Sequence, residues 1–310
     1  LVLARMATGL AAAAVIPLAL AWIGDNVPFD ALQETIARVG LGTTLGIGAG
    51  QLVGGLLTQT LGWRWAFVFM AVLFGGVGML LQLDWRRQRA ALQATAPDPQ
   101  ASALTPTPAA RTSFFAQTLP IVTGPWSRVV LLIAFAEGAA GFGVLAMWAS
   151  HLQRGIGMTA SGSGAVVAVF GLGGMLYMAT ARRLIARLGQ HGLSQAGGSL
   201  MGLCALVVAL SPSWQPIVPA SLLAGFGFFM FHNTMQANAT QMAPGARGTA
   251  VSLFSASLFM GQSAGAMLAA SLIAWVGSRT VVTLGGVAVM VLGLWFGATL
   301  RRRQRAALET

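Results

Sequence analysis

The stretch GIGAGQLVGG, residues 46–55, places five glycines in ten positions within a run that carries no charge and no proline. Each glycine in a helix interior costs about 1 kcal/mol relative to alanine. A helix tolerates that cost repeatedly where close backbone approach matters more than side-chain packing, so the reading turns on the surrounding solvent. Gly46, Gly50 and Gly54 recur every four residues and share one helix face, which Gly42 extends.

Composition identifies the solvent. The 310 residues are 56% hydrophobic and only 8% charged, with a mean hydropathy of +0.74. A soluble domain carries about 25% charged residues, and a globule this poor in charge has too little polar surface to cover itself. The bilayer is the natural solvent. In lipid no hydrophobic force draws helices together, so small residues that let backbones meet take its place. The net charge of +11 comes from arginine alone, without a single lysine. These arginines punctuate apolar runs instead of clustering on polar surface, which excludes a nucleic-acid binder. The one cysteine, Cys204, excludes intrachain disulfides and cysteine metal clusters and reads as a small core residue. The apolar run at Leu1 has no basic region or cleavage site before it. It is therefore not a secretory signal, and its start is expected to lie upstream.

Charges mark the ends of the spans, each of which needs about 20 apolar residues. Residues 1–23 are apolar apart from Arg5, and no charge lies between Arg38 and Arg64 or between Arg64 and Asp84. Residues 84–113, DWRRQRAALQATAPDPQASALTPTPAARTS, have no apolar period and predict a flexible linker. Apolar runs resume from Val129 to His151, broken only by Glu137, and from Arg154 to Arg182. The run from Arg187 to Arg247 is too long for one helix and is split by SPSWQP at 211–216. Arg247 to Arg279 and Arg279 to Arg301 give the last two. The expected fold is an all-α integral membrane protein with nine transmembrane helices. Three lie in residues 1–83, a linker spans 84–126, and a six-helix bundle with a tail fills 127–310.

Arginine placement fits this count. With the linker and C-terminus cytoplasmic, fourteen arginines face the cytoplasm and three (Arg64, Arg154 and Arg279) face outward, with Arg5 inside a span.

The chain also echoes itself. GAGQLVGGLL, leading to LGWR at Arg64, is matched by FMGQSAGAML, leading to VGSR at Arg279. A parallel repeat in a membrane protein points to a transporter of two related bundles. The motifs resemble those of the major facilitator superfamily. LVLARMATGLAAA at the start looks like its helix-4 motif, with Leu1, Arg5 and Gly9 matching and Thr8 in place of glutamine. GIGAGQLVGG looks like its helix-5 antiporter motif. Gly46, Gly50, Gly54 and Gly55 match, while Gln51 replaces a proline. LGWRWAFVF resembles the turn into helix 6. ARLGQHG resembles the cytoplasmic loop between helices 8 and 9 through Arg187 and Gly189, with Ala186 in place of the acid. The resemblance covers essentially the whole chain and implies helices 4–12 of a twelve-helix transporter, without helices 1–3. Such a piece is not expected to transport by itself.

Charges at membrane depth cost about 3 kcal/mol or more and mark function. Arg5 and Glu137 are the two that read as deep. The aspartates Asp25, Asp30, Asp84 and Asp98 read as loop residues. The resemblance places Arg5 on helix 4 and Glu137 on helix 7, both lining a central cavity with helix 10. Helix 10 supplies His232, Asn233, Gln236 and Asn238. By resemblance Arg5 takes part in proton coupling, holding a carboxylate charged or binding an anionic group; the alternative is an arginine reaching to the interface. Glu137, nine residues into its span, either exchanges protons or bonds to a neighbouring helix. His232 either titrates near neutrality or stays a neutral hydrogen-bonding residue. Asn233 and Gln236 share a face and either bind substrate or join helices. The Gly46, Gly50 and Gly54 stripe is either the seam between bundles or a static packing face.

No enzyme constellation, metal set or cofactor motif is present, and no lysine follows the glycines as a phosphate loop requires. The expected function is a monomeric secondary transporter in the inner membrane of a bacterium, working by alternating access. By resemblance it exports small amphipathic molecules in exchange for protons. An uptake permease for a small metabolite is the alternative within the family, and a non-transporting scaffold or receptor the alternative outside it. The topology has a direct check: with cysteines at Gln100 and Ser211, an impermeant thiol reagent applied to intact cells is expected to label position 211 and leave position 100 unlabelled.

Overall fold

A computed structural model describes residues 29–94 and 114–307, with scattered helical positions (3, 7–9, 11, 15, 19 and 23) before them. Most of the first span, including Arg5, and the centre of the linker therefore lie outside the described residues. The elements are α1 Phe29–Thr60, α2 Trp63–Ala94, α3 Phe114–Thr123 and α4 Pro125–Glu137. A π-helix, Gly138–Gly143, follows directly. Then come α5 Trp148–Ile156, α6 Ala160–Leu210, α7 Ile217–Thr240, a 3₁₀ turn Pro244–Ala246 and α8 Arg247–Ala306. Among the described residues there is no strand.

Two of these helices are too long for one crossing. At 51 and 60 residues, α6 and α8 run far beyond the roughly 20 residues that a bilayer takes. Each contains one glycine that leaves helical geometry, Gly189 (φ 61°, ψ 179°) and Gly277 (φ 79°, ψ 159°). That region of backbone space is essentially open to glycine alone. Each long helix is thus two, joined by a one-residue break. Pro125 to Ala306 holds six apolar helical stretches, in line with the arginine spacing.

The linker is shorter in structureless residues than its composition predicts. Helix α2 continues through Asp84 to Ala94, because Arg, Gln, Ala and Leu favour helix and the first proline is Pro97. Helix α3 occupies the far end. Asp30 and Asp84, expected in loops, lie in α1 and α2. Helix α2 exposes its apolar side chains, Val72 by 69% and Leu80 by 68%, as a lipid-facing helix does.

Glycine sets the packing of the rest. On α6 and α7, a methyl on Gly197 would stand 2.5 Å from the Gly227 carbonyl. Between the second halves of α6 and α8, Gly198 meets Gly293 and Gly202 meets Gly286, so closely that an added Cβ would stand only 2.6–2.7 Å from the facing backbone. Phe170, Phe228, Phe231 and Phe296 fill the core between these contacts. At the arginine-rich end, the Arg303 guanidinium sits 4.1 Å from the Trp126 ring centre, and Trp126 stacks on Phe296 at 6.1 Å. The tail and the end of the linker therefore share one end of the bundle.

The seam between α1 and α6 corrects the glycine reading. A methyl on Gly55 would come 2.6 Å from the Ala160 carbonyl, and one on Gly164 2.5 Å from the Gln51 carbonyl. Gly48 adds a looser contact with the Ala168 carbonyl, and the Gln59 carboxamide oxygen accepts from the Ser161 amide (3.1 Å) and hydroxyl. The contact face is Gly48, Gln51, Gly55 and Gln59. Gly42, Gly46, Gly50 and Gly54 point elsewhere, with nothing among the described residues within 4 Å of a Cβ at any of them. The every-fourth pattern and the contact face are neighbouring rows on one helix, and spacing alone does not choose between them.

Overfilling this seam should be costly: Gly164→Val is expected to destabilise the protein by about 1–3 kcal/mol, read as a lowered thermal midpoint in lipid. Gly75→Ala on α2, where a Cβ meets nothing within 4 Å, is expected to be neutral or stabilising by up to about 1 kcal/mol.

Candidate functional site

From Phe114 to Ala307 the chain contains one carboxylate side chain, Glu137. It is the last residue of α4 and is fully buried. Its burial follows from the glycines around it. A methyl on Gly138 would collide with the Leu258 carbonyl, and methyls on Gly261 and Gly265 would collide with the Phe135 and Ala139 carbonyls. With α4 and the π-helix pressed backbone to backbone on α8, the Glu137 side chain turns away toward α7.

There it meets His232, midway along α7. The His232 Nδ1 lies 3.1 Å from Glu137 Oε2, while Glu137 Oε1 is buried without a hydrogen-bond partner among the described residues. The imidazole is stacked on Phe228 (5.2 Å between ring centres, 14° between planes) and flanked by Phe254 at 5.8 Å. These rings set the plane of the imidazole, and its Nδ1 faces the carboxyl. An unpaired charge buried here costs several kcal/mol, and a proton moving between imidazole and carboxyl, or arriving from outside, changes that charge directly.

The other candidates are spread out. Asn233 lies near the hydroxyl of Tyr177, a buried residue of α6. Asn238 donates through Nδ2 to the Gln190 side chain (3.1 Å) and to the Thr234 carbonyl (2.8 Å), which ties α7 to the break at Gly189. Gln236 is exposed and does not share this neighbourhood, although the helical spacing puts it near Asn233. Arg187 is exposed just before Gly189. Glu137 and His232 are thus the two brought together, and Arg5 lies outside the described residues. Tyr177 was not singled out in the sequence, though its signal was there: it is the chain's one tyrosine, set in an apolar span.

Beside α4 an open groove of about 510 Å³ runs along α8. Ser252, Ser255 and Ser263 line it together with Phe135, Phe259 and Met260, so hydroxyls and apolar side chains share one wall. Among the described residues no group of three or more His, Cys, Asp or Glu side chains is placed to hold a metal.

Known proteins give this bundle of apolar helices a family. The profile of the Major Facilitator Superfamily matches residues 1–250. The chain belongs to the Major Facilitator Superfamily. It is 28% identical over 277 residues to YceJ of Bacillus subtilis (strain 168), described as an uncharacterized MFS-type transporter. The match covers 86% of this superfamily chain and 64% of the relative's length.

If the two buried groups act as a pair, their effects are not additive. A double-mutant cycle of Glu137→Ala and His232→Ala, read by thermal unfolding in lipid, is expected to give a coupling energy of about 0.5–3 kcal/mol.

Proposed function

We propose that the protein is a secondary active transporter in which Glu137 and His232 carry protons through the cycle, driving export of small amphipathic molecules by alternating access. The observation that carries this reading is the isolation of Glu137: it is the one acid from Phe114 to Ala307, fully buried, and bonded to a titratable partner on another helix. An apolar bundle with a purely structural role has no use for a carboxylate with one oxygen left unpartnered. Coupling needs such a group to be charged in one conformation and neutral in another.

Support for amphipathic substrates comes from the mixed wall of the groove beside Phe135. Support for export comes from the antiporter-like glycines of α1, whose Gly55 lies in the seam against α6. In this scheme residues 1–83 belong to one bundle, 127–310 form the other, and 84–126 join them. The joining segment and tail face the cytoplasm of a bacterial inner membrane, where the arginines gather. The protein works as a monomer. Arg5 is assigned to the cavity wall of the first bundle, and Asn233, Gln236 and Asn238 to the α7 side of the same cavity.

The test is flux driven by a pH gradient in proteoliposomes holding the full-length protein. Glu137→Gln is expected to abolish proton-driven flux while leaving counterflow exchange of substrate. Proton-driven flux at the unaltered rate in Glu137→Gln removes the residue from coupling. Substrate moving with the proton, not against it, replaces export by uptake.

A further inference from the structure

The stretch 125–156 is interrupted between Glu137 and α5 in a way that the proton pair does not explain. Gly138–Gly143 is a π-helix, and Ala146 and Met147 form a turn in which the Met147 amide donates to the Val144 carbonyl at 2.9 Å. A π-helix holds more residues per turn than an α-helix and persists where its surroundings constrain it. The half before it is constrained by His232 and by the glycine contacts with α8. The half beyond it, α5, is packed through the apolar side chains of Trp148 and Leu152, and Gln153 Nε2 donates to the Ser163 hydroxyl at 2.9 Å; its one buried polar side chain is His151, which is 5% exposed.

His151 joins three helices. Its Nε2 lies 3.2 Å from the Val208 carbonyl on α6, and its Nδ1 lies 2.8 Å from the Ser278 hydroxyl on α8. A carbonyl only accepts, so Nε2 carries the proton and Nδ1 of the neutral ring accepts from Ser278. Both partners belong to places where a helix gives way. The residue four beyond Val208 is Pro212, which has no N–H, so this buried carbonyl has no helical donor. Ser278 directly follows Gly277, the break in α8. Gly155 lies over the ring, where a Cβ would stand 3.4 Å from it. Beneath the π-helix a void of about 10 Å³, room for one water-sized sphere, is bordered by Gly141, Val144, Trp148, Met201 and Gly285. The interrupted segment thus combines an irregular backbone with a small void beside it.

We infer that His151 is a latch. It is a positioning residue that holds α5 against α6 and α8, and its release lets α5 swing about residues 138–147 and open the end of the bundle opposite the arginine-rich tail. The inference stands apart from the proton reading, because labelling needs neither substrate nor gradient, so either can fail alone.

The test uses two single-cysteine reporters in a Cys204→Ala background, in protein reconstituted in lipid. Val144→Cys reports on the hinge, at a position 8% exposed. Ser221→Cys reports on the rigid core; Ser221 is fully buried and its hydroxyl has no hydrogen-bond partner to lose. Because labelling of a buried thiol scales with the open population, His151→Leu is expected to speed maleimide labelling at position 144 by about tenfold or more and leave position 221 unchanged. His151→Gln, which keeps a donor for Val208 and an acceptor for Ser278, is expected to restore slow labelling. Ser278→Ala, which removes one bond with little risk to folding, is expected to give an intermediate rate. Equal labelling at position 144 with and without His151 overturns the latch. So does a parallel rise at positions 144 and 221, which would make His151 a residue of general stability.

Discussion

Glu137 enters an apolar bundle with one hydrogen-bond partner among the described residues, His232, and the surrounding structure answers to that constraint. Its carboxyl faces His232 because three glycines, Gly138, Gly261 and Gly265, bring α4 and α8 into backbone contact and leave the side chain only the direction of α7. Phe228 and Phe254 then fix the imidazole plane. A methyl group at any of those glycines would move α4 off α8 and carry the carboxyl with it. The chemistry of the pair therefore depends on backbone contacts in which no side chain takes part.

The same device recurs throughout the bundle. Gly197 on Gly227, Gly198 on Gly293, Gly202 on Gly286 and Gly55 on Ala160 are all places where backbones meet without side chains between them. In lipid this is the available source of helix adhesion, since apolar side chains lose nothing by facing hydrocarbon. Helix α2 shows the contrast: its Val, Leu and Phe side chains lie exposed along its length, and no tight glycine contact fixes it. The seam between α1 and α6 is close through its glycines, with the Gln59 side chain bonded across it to Ser161.

Much of this was legible in the sequence because lipid enforces simple rules. Arginine positions bounded the helical stretches after Pro125, including two breaks that lie inside otherwise unbroken helices at Gly189 and Gly277. Burial of Glu137 followed from its depth in an apolar run. What spacing cannot give is rotation about the helix axis. Gly46, Gly50 and Gly54 have the better repeat, yet Gly48, Gln51 and Gly55 make the contact, since neighbouring rows on one helix differ only by what lies opposite. For the same reason spacing does not show that Asn233 is half-buried while Gln236 is exposed. The linker was read from composition, and composition does not show that α2 has no reason to stop before Pro97. His151 was passed over because its meaning comes from Pro212, sixty-one residues away in the chain and adjacent only after folding.

The account rests on a carboxyl and an imidazole sharing a proton in a bundle with no other acid. Infrared difference spectroscopy across a pH step, with Glu137→Gln subtracted from the unaltered protein, observes that carboxyl directly. The account predicts a carboxyl band that belongs to Glu137 and changes position when His232 is replaced by alanine. A Glu137 band indifferent to His232, or no band assignable to Glu137 at any pH, would contradict it.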